Sequence, residues 1–111
     1  MFGLFEKYSS TSEKKIGPIT AKASTIRIFD IILKYVQDNE CINISSNKEF
    51  CDIYCEQFGF EYTFQIVDDN SNSIINIYVY GEKKRGKTYR RCKAIKEYII
   101  ELLKENNVDI I

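Results

Sequence analysis

From Phe60 the apolar residues of this chain fall on every second position: Phe60, Tyr62, Phe64 and Ile66 alternate with Glu61, Thr63 and Gln65. A period of two marks a strand with one buried face. The polar run Asp68-Asp69-Asn70-Ser71-Asn72-Ser73 reads as a turn, and a second apolar run, Ile74 to Tyr80, stops at Gly81. Together they predict a hairpin, whose apolar side must be covered by something else.

Helical periods on either side supply the cover. A first helix is predicted from about Ala21 or Ser24 to Gln37, with Ile28, Phe29, Ile32, Tyr35 and Val36 on one face. Ile26, Ile31 and Leu33 widen that arc. A helix this apolar packs either between layers or against a second copy of the chain, which makes a homodimer through Ile26–Val36 one expected partner. Cys41 to Ser45 reads as a short strand. Ser46 or Asn47 then caps a predicted second helix, Lys48 to Phe58, closed by Gly59. Its inner face would hold Phe50, Cys51, Tyr54 and Phe58, and its outer face Glu49, Asp52 and Glu56.

A last helix is predicted from Thr88, as N-cap, to about Asn106. Cys92, Ile95, Ile99, Leu102 and Leu103 would face the sheet, and Arg90, Lys93, Lys96 and Lys104 would face away, with Arg91 at the margin. The expected fold is α+β: an antiparallel sheet of about three strands covered on one face by helices, in the order α-β-α-β-β-α. Residues 1–19, polar and broken by Gly17-Pro18, read as a loosely attached arm, and 20–111 as a single domain.

Charge is distributed unevenly. The chain is formally neutral, yet eight of its 16 Lys and Arg residues lie between Lys83 and Lys96, where there is no acid. Asp38 to Glu82 holds nine acids and one base, Lys48. The basic segment therefore reads as a surface for phosphate or an acidic partner. Cations at a helix N-terminus oppose the macrodipole. Phosphate recognition would justify placing them there, because loop cations, backbone N–H groups and the dipole all favour an anion. The competing reading is a solvated face paired with the acidic middle of the same molecule.

Several chemistries find no support. Histidine is absent, which removes the commonest general base and every His-containing metal site. Cys41, Cys51, Cys55 and Cys92 form no C-x-x-C pair, and they read better as small hydrophobes than as a zinc framework. Asp68, Asp69, Glu61 and Glu82 lie in no catalytic spacing, and Gly81 and Gly86 read as turn residues. Tyr78, Tyr80 and Tyr89 adjoin the basic loop but are ordinary strand and helix residues. No catalytic residue and no cofactor is expected. The opening M-F-G-L-F-E-K-Y is too short and too soon charged for a hydrophobic targeting core, and the apolar run Ile26–Val36 is interrupted by Arg27, Asp30 and Lys34. A reducing, cytoplasmic setting without membrane partners is the expectation.

From Asn47 onward the chain also resembles a double-stranded RNA-binding domain. N-K-E-F-C-D-I-Y-C-E-Q-F-G is similar to that family's first helix, E-Y-T-F-Q-I-V-D-D to its first strand, and G-K-T-Y-R-R-C-K-A-I-K to the basic start of its final helix. The resemblance implies phosphate contacts across the RNA major groove by Lys87, Arg90 and Lys93, with Arg91 a further candidate. The family's Gly-Pro and His loop motif is replaced here by Asp68–Ser73. The expected function is thus non-catalytic binding of structured nucleic acid, duplex RNA above all, through Lys83, Lys84, Arg85, Lys87, Arg90, Arg91 and Lys93. The alternative is a protein-interaction or inhibitor module that keeps a similar fold without the RNA site.

Overall fold

The structure, a computed structural model, describes residues 5–9, 16–82 and 86–111, with backbone alone for 5–9 and 82. Six strands and two helices follow in the order β1 (Phe5–Ser9), β2 (Ile19–Ala21), α1 (Thr25–Asp38), β3 (Ile42–Asn47), β4 (Asp52–Gln57), β5 (Phe60–Asp69), β6 (Asn72–Glu82) and α2 (Lys87–Glu105). All strand pairs are antiparallel, and the sheet runs β1-β6-β5-β4-β3. β2 shares the outer edge of β6 with β1, pairing at Ser73–Ile75 while β1 pairs at Tyr78–Glu82.

The three-strand sheet and the order α-β-α-β-β-α are therefore corrected. The decisive difference is the segment expected to be a second helix, which is a turn followed by β4. Asn47 does behave as a cap: its Oδ1 accepts from the backbone N–H groups of Glu49 at 3.0 Å and Phe50 at 3.2 Å. Cys51, at φ 54°, then turns the chain left-handed and stops any helix after one turn. β4 follows with Ile53 and Cys55 buried. Phe50 and Phe58, expected on an inner helical face, are 66% and 74% exposed. Gly59 closes no helix. Phe58 and Gly59, at φ 54° and 79°, form the two-residue turn joining β4 to β5, the positive-φ pair that matches strand twist.

The readings of α1, β3 and the β5–β6 hairpin agree with the structure. α1 begins at Ser24, whose Oγ accepts from Arg27 N–H, and it buries Ile28, Phe29, Ile32 and Val36. β5 and β6 form the hairpin, turning through Asn70 and Ser71, both at positive φ. β6 passes through Gly81 instead of stopping there, and glycine is needed at that position for space: a Cβ would sit 2.5 Å from Phe60 Cδ1. Within residues 1–19, β1 lies along β6, Ile16 and Ile19 are buried, and the Lys96 ammonium donates to the Ile16 carbonyl.

One core joins these parts. Ile53, Cys55, Tyr62, Phe64, Ile66, Ile75, Ile77 and Val79 point from one sheet face toward both helices. α1 packs over β4 and β5, and α2 over β6 and β1. The opposite sheet face carries no helix among the described residues.

Candidate nucleic-acid interface

α2 is capped two residues earlier than its sequence suggests. Gly86, at φ 74°, occupies the N-cap position, and Thr88 is fully buried in line with Cys92, Ile95, Ile99 and Leu103. Thr88 as a cap is thus a misreading: its spacing of four from Cys92 puts it on the core side of the helix. That rotation decides where the cations go. Lys87, Arg90 and Lys93 are exposed, and Arg91 is half-buried. No acid occupies the first turn of the helix.

Lys87, Arg90 and Arg91 converge. With Phe60 and Ala94 they line a cleft of about 390 Å³ at the junction of α2 and the start of β5. Among the described residues no carboxylate lines it. Lys93 is exposed on the same helix but does not line the cleft. Lys83, Lys84 and Arg85 lie outside the described residues.

Arg91 has a definite direction. Its guanidinium carbon lies 5.4 Å from the centre of the Phe58 ring and 5.4 Å from that of Phe60, so the cation is flanked by two aromatic faces. Phe58, at the tip of the β4–β5 turn, thereby reaches the site only through Arg91, and it lines a neighbouring depression that also holds Asp38 and Glu40. Sequence reasoning missed it by folding it into a helix, although Phe-Gly between two alternating runs carries a hairpin signal.

The other candidates disperse. Tyr78 and Tyr80 lie on the helix-free sheet face, away from the cleft, and Tyr89 is half-buried on α2. Ile53 is fully buried in β4, and Glu56 lies on the helix-free face. Asp68 and Asp69 are exposed at the β5–β6 turn, and Glu61 is bonded to Tyr54. All four cysteines are free thiols, three of them buried. Burial pushes the Cys55 thiol up to about 12, with Cys41 beside it adding to the rise. Among the described residues no three potential metal ligands cluster.

No protein-family model, curated protein or solved structure matches the chain. No helix among the described residues is long and apolar enough to cross a membrane.

Proposed function

We propose that this chain is a non-catalytic, cytoplasmic module that binds the phosphate backbone of structured nucleic acid, duplex RNA in particular, through the start of α2. The observation that supports it is the convergence of Lys87, Arg90 and Arg91 on one cleft, with the Arg91 guanidinium set against Phe60 of that cleft and against the exposed Phe58. Guanidinium groups suit phosphate because their planar donors match its oxygens in pairs. Arg91, held between two rings, is oriented in advance, which lowers the cost of ordering it on binding. Lys93, exposed on the same helix, extends the footprint along the backbone. Contacts of this kind position a protein without reading bases, so sequence preference is slight. Free thiols fit a reducing compartment.

Titration of a labelled RNA duplex of about 20 base pairs, comfortably longer than one such module spans, tests the reading. Saturable binding at about 50 mM salt that weakens steeply by about 200 mM is the expected result. Absence of saturation at the lower salt rejects it.

A second reading has one observation of its own. β3 is an edge strand carrying no charged residue, and Ile42 on it is 60% exposed. An uncharged edge is a template for pairing with another chain. Self-association by this edge, rather than by α1, is the form a protein-interaction role would take, since most of the α1 arc is used by the chain's own core. Sedimentation at rising concentration separates the two readings: a monomer throughout removes the second.

A further inference from the structure

Cys41 and Cys55 meet under the sheet. Ile42 pairs with Glu56 in the β3–β4 register, and side chains alternate across a sheet. The residues just before that pair, Cys41 and Cys55, therefore turn together toward the helices as diagonal neighbours. Cys55 is fully buried, and Cys41 is half-buried against the same core. Their thiols interact directly as hydrogen-bonding neighbours. Tyr62 stands opposite Cys55 in the β4–β5 register and is 1% exposed. Its hydroxyl is buried with no hydrogen-bond partner among the described residues. The two thiols and the Arg91 guanidinium all act on the Tyr62 and Tyr35 phenols, which puts the five groups in one neighbourhood. Glu40, the residue before Cys41, lines with Tyr35 and Arg91 a depression of about 410 Å³, so solvent reaches the edge of the pair.

Two touching thiols with a phenol beside them narrow the chemistry. A disulfide forms by attack of a thiolate, but burial raises both thiols, which keeps them protonated and poor nucleophiles. Zinc and hard cations need more ligands than a pair, and no third potential ligand joins these two among the described residues. A soft monovalent ion is satisfied by two sulfurs, and a coordinating thiol gives up its proton to the metal. We infer that Cys41 and Cys55 bind one Cu(I) ion between their sulfur atoms, with the Tyr62 hydroxyl donating to the Cys55 sulfur. Two thiols and one Cu(I) give a bis-thiolate of charge −1 and release two protons to water, and no electron moves. Arg91 offsets that negative charge from the helix side, whereas Glu56, which opposes it, lies on the other face of the sheet. The Tyr62 hydroxyl separates this reading from plain packing, because a thiolate accepts the hydrogen bond that a thiol accepts only weakly.

The full chain, reduced and kept free of oxygen, is titrated with Cu(I) against the chromophoric chelator bicinchoninate, and native mass spectrometry counts the bound ions. One Cu(I) per chain is expected, with two sulfur neighbours in its X-ray absorption spectrum and all four thiols recovered once a chelator has removed the metal. Cys41→Ser, at a half-buried position where the fold is retained, should weaken binding at least about a hundredfold, since even the outer partners of a metal ligand are worth about 10–100-fold. Cys55→Ala should do the same. Tyr62→Phe should keep the stoichiometry and weaken binding about tenfold, which a merely structural role for the ring would not produce. Cys51→Ala and Cys92→Ala, at the other two cysteines, should each bind as the native chain does. No binding in competition with bicinchoninate, binding unchanged in Cys41→Ser, or loss of two thiols to a disulfide in place of a bound ion overturns the inference.

Discussion

The guanidinium carbon of Arg91 stands 5.4 Å from the centre of the Phe60 ring, so the second turn of α2 is tied to the start of β5 by a cation over an aromatic face. Because Phe58 lies at the same distance, Arg91 serves stability as well as charge. Arg91→Ala should cost about 1–2 kcal/mol, the range for a cation–π contact that is partly desolvated. Arg91→Lys should recover only part, because an ammonium cannot stack between two rings as a flat guanidinium does. Urea midpoints of the three proteins check this ordering.

Two phenylalanines two residues apart should behave oppositely. Phe60 is 5% exposed and belongs to the core, so Phe60→Ala should lose about 3–5 kcal/mol. Phe58→Ala, at a site 74% exposed, should lose little stability beyond its contact with Arg91 and yet weaken nucleic-acid binding. Chemical unfolding paired with RNA titration of both variants tests it. Equal destabilisation would contradict the exposed placement of Phe58.

That segment shows what sequence periodicity can and cannot decide. The stretch from Phe60 to Tyr80 alternates without ambiguity, and α1 and α2 carry long helical arcs, so those elements were legible. Phe50, Cys51, Tyr54 and Phe58 fit a helical face as well as Cys51, Ile53 and Cys55 fit a strand face. Asn47 adds true capping hydrogen bonds to the wrong side of the balance. The outcome is set by β5, whose unpaired edge takes up β4 through six residue pairs; local propensity yields to that non-local ladder. The site divides in the same way. Its cations were visible as composition, whereas Phe58 and Phe60 reach it from a hairpin distant in sequence. The meeting of Cys41, Cys55 and Tyr62 exists only once the register is known.

Gly81 offers a steric test of how β6 meets α2. A Cβ there would lie 2.5 Å from Phe60 Cδ1, 2.8 Å from Phe60 Cε1 and 3.3 Å from Thr88 Oγ1. The ring is 5% exposed and packed in the core, so Gly81→Ala should cost about 1–3 kcal/mol through overpacking. A thermal scan reads this directly, and an unchanged melting temperature would mean that the ring is not seated as described.

Stability should fall at alkaline pH. Burial raises the Cys55 thiol to about 12, with Cys41 adding to it, and burial raises the Tyr62 phenol to about 12 against the opposing charge of Arg91. Both groups hold their protons more tightly folded than unfolded, where a thiol ionises near about 8.5 and a phenol near about 10. Their stabilisation is therefore complete below pH of about 8.5 and is lost as pH rises toward 12, by up to about 1.4 kcal/mol per pH unit for each group. Urea midpoints across this range give the slope. The Tyr62 hydroxyl is also buried without a hydrogen-bond partner among the described residues. Tyr62→Phe should then be neutral or stabilising by about 1 kcal/mol, and it should flatten the upper part of the pH curve.

The most direct test of the cationic cleft reverses its charge without harming the helix. Lys87 and Arg90 lie in a first turn that contains no acid. Acids near a helix N-terminus are favoured by about 0.3–1 kcal/mol each, so the Lys87→Glu/Arg90→Glu protein should remain folded. Its affinity for duplex RNA should drop at least about tenfold, and the slope of log affinity against log salt should shrink by about 2, one for each phosphate contact removed. Lys104→Glu, at the other end of the same exposed helix, serves as the charge control. A loss confined to the double variant is the expected result. An equal loss in Lys104→Glu, or none in either, contradicts the assignment of nucleic-acid binding to the start of α2.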